Sequence, residues 1–381
     1  MRILAINYEY PPLGGGAGNA TANISREMAR QGAEVLVLTS AFRGFPARER
    51  ADGFEIRRIP TIRRHEEKCA PWEMAAFMAS ACLHAPLMAR RFRPDAVLAY
   101  FGIPCGPPAW LVKAFGGTPY VVSLRGGDVP GFQPYDLAAM HRLTGPLIRL
   151  LWRKAGAVVA NSGGLAALAR RFEPGLEYPV IPNGADTALF HPRSGERAPG
   201  PVRLFFHGRL VYQKGLDILL AALGDMAAAP FELHLAGDGP MRPELEQQAS
   251  SLGIRDKIFF HGWMRRPELA RALRGADLFV FPSRDEGMPN AVLEAMASGL
   301  PVVASAIAGS EELVLPGLTG RLVPPEDAPA LAAALAPLLT DIPLLETMGA
   351  AGRERVERHY SWASAASRYL ELCARLAGGH R

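Results

Sequence analysis

The sequence is short of cysteine, with four in 381 residues. Cys69, Cys82, Cys105 and Cys373 form no CxxC pair, so neither a zinc site nor a disulfide framework is indicated. Reduced thiols in a cytoplasmic setting are the expectation. Long hydrophobic runs are also missing. The opening MRILAINYEY has no long apolar core ahead of a small-residue cleavage site, which argues against a secretory signal. The longest apolar stretch, 72–89, is broken by Glu73, His84 and Pro86. A spanning helix needs about 20 mostly apolar residues, so this stretch reads as a buried or surface helix. No Gly-x-Ser-x-Gly elbow occurs, which sets a Ser-His-Asp hydrolase aside. No Gly-x-Gly-x-x-Gly follows the first strand-like run, and Thr39 and Ser40 stand where that fingerprint wants an acid. NAD binding is therefore disfavoured.

What is present is the composition of a globular chain with full cores: 49% hydrophobic and 21% charged. At roughly 100–200 residues per domain, the length suggests two domains. The net charge of +5 is uneven. Through Val180 there are 22 Lys+Arg against 14 Asp+Glu, and beyond it 20 against 23. The basic excess falls in short runs such as Arg57-Arg58, Arg63-Arg64 and Arg90-Arg91. No nucleic-acid motif accompanies them, so nucleic acid is not expected as a partner. A solvated surface, an anionic membrane surface and a phosphorylated acceptor all fit.

Both halves alternate strand-like and helix-like segments. Apolar runs at 2–8, 34–40, 96–100, 118–124 and 157–161 suit strands buried on both faces of a parallel sheet. The pattern restarts at 203–208, 231–237, 257–262, 276–283 and 300–305, with helix-like stretches at 215–223, 242–252, 267–275 and 289–299. HPRSGERAPGP (191–201) is a Pro/Gly/charged linker candidate. The expected fold is α/β, with two doubly wound Rossmann-like domains facing a central cleft. Ligands in such sheets bind beyond the carboxyl ends of the strands.

The chemistry gathers in loops at those ends. In YEYPPLGGGAGN (8–19), successive glycines let the backbone approach a ligand, and a helix beginning near Gly18 favours an anion. HGRLVYQKG (207–215) puts Arg209 and Lys214 just past a strand, where two cations suit a diphosphate. FHGW (260–263) ends another strand with Gly262 and Trp263, which can read a base edge or simply pack. In PSRDEGMPNAVLEAMASG (282–299), Glu286 lies in a loop and Glu294 lies inside the helix that follows Pro289. The free N–H groups near Gly287, Met288 and Asn290 make the kind of helix end that holds phosphate. Two acids so spaced can bracket a nucleotide sugar.

Taken together, these segments resemble glycosyltransferase family 4, of the GT-B fold, over nearly the full length. The Gly-rich loop, VIPNGADTALFHP (180–192), GRLVYQKG (208–215), LAGDGP (235–240) and the Glu-x7-Glu segment carry the likeness. SWASAASRYLEL (361–372) resembles that family's C-terminal helix, which packs back on the first domain. The resemblance implies a first domain over 1–183 for the acceptor, a linker over 184–201, a donor domain over 202–360 and the returning helix over 361–381. It implies retaining, metal-independent transfer from a UDP- or GDP-sugar, with no cofactor; the sequence holds no Asp-x-Asp. Arg209 and Lys214 would stabilise the departing diphosphate. Glu294 would bind the ribose, and Glu286 the donor sugar's hydroxyls with the backbone of 287–290. Gly15, Gly16, Gly262 and Trp263 join the donor set, and Asn19 joins the acceptor set.

One segment departs from the family pattern. Where many relatives have His-Gly-x-Asp, this chain has SLRGGDVPGF (123–132), so Arg125 replaces the histidine while Asp128 stays. Arg cannot act as a base at neutral pH. Asp128 either orients the acceptor hydroxyl or caps the turn before Pro130, and Arg125 adds positive charge there.

A nucleotide-sugar epimerase of the same fold, a phosphorylase and a non-catalytic sugar-nucleotide-binding scaffold subunit are the competing readings. The acceptor is expected to be a glycan or a lipid-linked sugar of cell-surface polysaccharide or glycolipid synthesis. The basic first half and the apolar 72–89 stretch suit contact with the inner face of an anionic membrane, with release as salt rises.

Overall fold

A computed structural model describes residues 1–66 and 69–379. The chain divides into two compact units, Met1–Asn183 with Trp362 onward, and Gly184–Ser361. Each is built on one sheet.

The first unit contains β1 (Arg2–Ile6), α1 (Gly16–Arg30), β2 (Glu34–Ser40), β3 (Arg48–Ala51), β4 (Phe54–Ile59), α2 (Pro71–Phe92), β5 (Ala96–Tyr100), α3 (Gly106–Gly116), β6 (Tyr120–Ser123), α4 (Pro134–Lys154), β7 (Ala157–Val159) and α5 (Gly163–Phe172). The strands lie in the order β3-β4-β2-β1-β5-β6-β7. All neighbours are parallel except β3 and β4. The apolar runs are buried from end to end because helices cover both faces: α2 to α5 pack on one and α1 on the other.

The second unit contains β8 (Val202–His207), α6 (Leu216–Gly224), β9 (Phe231–Ala236), α7 (Arg242–Ser251), β10 (Ile258–Gly262), α8 (Arg266–Gly275), β11 (Leu278–Phe281), α9 (Asn290–Ala297), β12 (Val302–Ser305), α10 (Ala308–Glu311), β13 (Gly320–Val323), α11 (Ala328–Leu335) and α12 (Ile342–His359). Its strands run β10-β9-β8-β11-β12-β13, all parallel. Numbered within the unit this is 3-2-1-4-5-6, the Rossmann order.

Last comes α13 (Trp362–Gly378), which packs on α1 in the first unit. Its Trp362, Ala366, Tyr369 and Cys373 recur at helical spacing, are buried, and complete the core on that face of the sheet. The Tyr369 hydroxyl lies 2.7 Å from Ser123 Oγ at the end of β6. The last two residues of the 361–381 segment lie outside the described residues.

Three expectations change. The strand expected over 2–8 stops at Ile6, and α1 begins at Gly16 instead of near Gly18. The β3–β4 pair was not legible, because the edge strand β3 (RERA) and its neighbour β4 (FEIRRI) are rich in charge and lack an apolar run. Residues 184–201 are no free linker. Phe190 is fully buried in the second unit's core, and Arg193 and Arg197 both pair with the buried Asp277.

Candidate functional site

In the second unit β8 and β11 are neighbours where the strand order reverses, and the loops leaving their carboxyl ends form the site. After β8 the chain runs to a short 3-10 turn, Tyr212–Lys214. After β11 it runs through 282–289 into α9.

The two loops are fastened to each other. Arg284 N donates to Gln213 O at 2.8 Å, and Gln213 Nε2 donates to Asp285 O at 2.7 Å. The buried Arg284 guanidinium donates to both oxygens of Asp217 at 3.0 and 2.7 Å and to Glu326 at 2.9 Å. It also lies 3.8 Å from the centre of the Tyr212 ring. These carboxylates hold its pKa above the usual arginine value despite burial. The clamp sets Lys214 against Glu286, and Lys214 Nζ donates to Glu286 Oε1 in an ion pair with 14% and 13% of the side chains exposed. Phe281 lies 5.2 Å below the ammonium. Arg209 stands nearby in sequence and is exposed.

Glycines let these loops come close. A Cβ on Gly215, at φ +65°, would meet Pro282 O at 2.0 Å. One on Gly237 of the LAGDGP segment would meet Gly208 O at 1.9 Å, and one on Gly239 would meet Leu210 O at 2.4 Å. No larger residue fits at these positions without moving backbone.

Glu294 lies on α9 and is buried. Arg266, at the start of α8, donates to Glu294 Oε1 at 2.9 Å. Oε2 faces His207 Nε2 at 3.5 Å. Burial pushes the His207 pKa down to about 3, and the charges of Arg266 and Lys214 add to the effect. The ring is therefore neutral at pH 7 and forms no ion pair with Glu294. His207 thus adjoins the Arg266–Glu294 pair. Burial raises the Glu294 carboxyl above its ordinary value, while Arg266 opposes the rise.

Pro289 is the N-cap of α9, and among the described residues no side chain caps that end. Gly287 and Met288 are buried, and the Met288 side chain belongs to the hydrophobic core. The Met288 side chain is therefore occupied by the core. Gly262, at φ +70°, would place a Cβ in open space, and its carbonyl accepts from Gly237 N at 2.7 Å. Trp263 is 59% exposed.

In the first unit the glycine loop leaves β1. Asn7 Nδ2 donates to Thr21 Oγ1 at 2.7 Å, and its Oδ1 accepts from Glu9 N at 3.0 Å, tying the loop to α1. Gly15 is the N-cap of α1, and Glu9 Oε2 accepts from Gly15 N at 3.4 Å. A carboxylate of the chain itself thus stands at the helix end where an anion is favoured. Gly16 is exposed, and Asn19 Oδ1 accepts from Asn23 Nδ2 at 3.0 Å.

Asp128 is buried with both oxygens in use. Oδ1 accepts from Arg125 N at 2.9 Å and Gly126 N at 3.1 Å, and Oδ2 from Gly102 N at 2.8 Å. Burial raises its pKa, and these donors oppose the rise. The geometry is that of a loop cap joining the ends of β5 and β6. Arg125 Nη1 donates to Asn183 Oδ1 at 2.8 Å, and its guanidinium lies 4.7 Å over the Tyr100 ring. Its Nε and Nη2 are buried with no hydrogen-bond partner among the described residues.

The structure thus brings together Lys214 and Glu286, and separately Arg125 and Asp128. It adds three residues that the sequence did not single out. Arg266 and Arg284 sit in charged stretches where one arginine looks like another, while His207 had a legible signal as the polar last residue of an apolar strand.

Comparison with known proteins gives the same picture. A glycosyl transferase 4-like domain model matches residues 15–184, and a glycosyl transferases group 1 model matches 201–341. The glycogen synthase of Mycobacterium tuberculosis is 29% identical, over 100% of this chain and 96% of that protein. A Salmonella typhimurium glycosyltransferase named for colanic acid biosynthesis is 31% identical, over 71% of this chain and 68% of that one. Among solved structures, sucrose-phosphate synthase from Thermosynechococcus elongatus superposes with a TM-score of 0.87 at 23% identity, covering 100% of both chains. The Anabaena HepE protein with UDP and glucose gives 0.76 at 20% identity, over 97% of this chain and 98% of that one. By motifs, family models and relatives alike, this chain belongs to the glycosyltransferases of the family 4-like, group 1 kind, with the GT-B type of fold.

Proposed function

We propose that the protein transfers a sugar from a nucleoside-diphosphate sugar to a glycan or lipid-linked acceptor, with retention at the anomeric carbon and without a metal ion. The observation that carries this reading is the pairing of Lys214 with Glu286 at the β8/β11 switch point, in the loop that leads into α9 and its buried Glu294.

Lys214 and Glu286 satisfy each other. Donor binding would exchange partners: the diphosphate takes Lys214, and a sugar hydroxyl donates to Glu286. Glu294 would accept from the ribose hydroxyls, with Arg266 keeping its carboxylate ionised and oriented. As the bond from the anomeric carbon to the diphosphate oxygen breaks, negative charge grows on the leaving group. Lys214, Arg209 and the backbone N–H groups opening α9 would stabilise it, the preorganised electrostatics that lowers such barriers. The acceptor oxygen bonds to the anomeric carbon, which passes through an oxocarbenium-like state, and its proton leaves with the phosphate oxygen. Acceptor contacts fall to the first unit, where Asp128 holds the 125–128 loop and Arg125 presents the charge. That relatives are named as glycosyltransferases, and that HepE is solved with UDP, supports an NDP-sugar donor.

The test is nucleoside-diphosphate release from a donor panel, with and without glycan or lipid-linked acceptors. Acceptor-dependent release that is lost in Lys214→Ala and Glu286→Ala is expected. Isomerised donor formed without acceptor would point instead to an epimerase, and unchanged rates in both variants would sink the site.

A further inference from the structure

The outer faces of α2, α3 and α4 are apolar where solvent-facing helix surfaces are ordinarily polar. On α4, Leu143, Leu147 and Leu150 follow one another at helical spacing and all are exposed, Leu143 by 83%. On α2, Trp72, Leu83 (70% exposed) and Leu87 share a stripe about 22 Å long at 1.5 Å per residue. α3 packs against both helices and adds Trp110 and the 68% exposed Phe115.

Basic groups border this apolar surface. Arg90 and Arg91 end the α2 stripe, Arg142 adjoins Leu143, and Lys154 ends α4. Arg149 and Arg153 lie on the same helix and share one carboxylate, Glu173. Acids are almost missing. Across these three helices they are Glu73 and Asp136, and both Glu73 oxygens are spent accepting from Arg64 N and Ala70 N. At the ends of α2 and α3 a cavity of about 240 Å³ combines Arg90 and Arg93 with Pro86, Val112 and Phe115.

We propose that this three-helix face docks on an anionic lipid bilayer, with its leucines and aromatics at the headgroup–acyl boundary and its arginines on lipid phosphates. The pattern is that of a surface that lies in the interface plane. Among the described residues no single helix is long and apolar enough to cross a membrane. A second copy is the poorer occupant, because joining two such faces would bring like charge against like charge. The inference draws its use from the transferase reading, since it would hold the acceptor-binding unit at lipid-borne substrate, but its test does not need that reading.

The experiment is co-sedimentation of the full chain with phosphatidylglycerol–phosphatidylcholine vesicles and with phosphatidylcholine alone, over rising salt. Wild type should bind the anionic vesicles and release as salt screens the arginines. Leu143→Glu/Leu147→Glu should weaken binding about tenfold or more, while Leu318→Glu, an exposed leucine of the second unit, should not. Absence of vesicle binding by wild type, equal binding by the double variant, or equal loss in Leu318→Glu would overturn the proposal. So would light scattering that shows a wild-type dimer dispersed by the double variant. A cooperative thermal unfolding transition near the wild-type midpoint shows that the double variant is folded. Vesicle binding with no donor response would count against the transferase reading alone.

Discussion

Lys214 and Glu286 form a largely buried charged pair, and each would be costly to bury alone. On the function proposed above, a bound donor supplies both partners anew. Lys214→Ala is expected to lower kcat by about 10²–10³, the usual cost of one transition-state charge donor, as read by steady-state kinetics. His207 offers a second check. Its pKa is depressed to about 3 by burial and by Arg266 and Lys214, so the unfolded chain takes up a proton below its ordinary pKa of about 6.5 while the folded chain does not. The stability from this group is therefore full above pH 6.5 and is lost as pH falls toward 3. Urea unfolding should show wild type losing up to about 1.4 kcal/mol per pH unit relative to His207→Gln between pH 6 and 4. Asp128→Asn would set an amide N–H₂ against backbone N–H donors, at a cost of about 1–3 kcal/mol. If Asp128 acts by holding the Arg125 loop, acceptor KM should rise in that variant while donor affinity stays. Unchanged transfer and acceptor affinity would remove Asp128 from the site.

At the scale of elements, the site depends on how loops are pressed together. Arg284 binds Asp217, Glu326 and the Tyr212 carbonyl at once, and Gly215 exists to let its turn touch Pro282. Arg284→Met should cost about 1.5–3 kcal/mol by removing its charged hydrogen bonds to the partly solvated Asp217 and should raise donor KM, as measured by denaturation and kinetics. Gly215→Ala should be at least as damaging to donor binding, because its Cβ meets backbone. The central strands and their following helices were legible from buried apolar runs, and so were the loops that carry Lys214 and Glu286. The clamp was not, because nothing in the spelling SRDEG distinguishes Arg284, which points inward to Asp217, from a solvated arginine. The charged β3–β4 edge and the partnering of Glu294 with Arg266 stayed hidden for the same reason: pairing partners 28 residues apart leave no periodic trace.

For the whole molecule, the Rossmann strand order of the second unit recurs in the first once the antiparallel β3 is set aside, and α13 closes the first from the far end of the chain. The resemblance named the architecture because its motifs sit at strand ends, where fold and ligand chemistry constrain the same residues. The sequence signalled a basic first half and the apolar stretch 72–89, but not the exposed leucines of α4. The central claim is a nucleotide-sugar donor held by Lys214, Glu286 and Glu294. It is tested most directly by thermal shift with UDP-, GDP- and ADP-sugars on wild type and Glu294→Gln. One donor class should raise the wild-type midpoint by about 5 °C or more near saturation and leave the variant's unmoved. No stabilisation by any donor, or equal stabilisation of both proteins, would contradict the donor site.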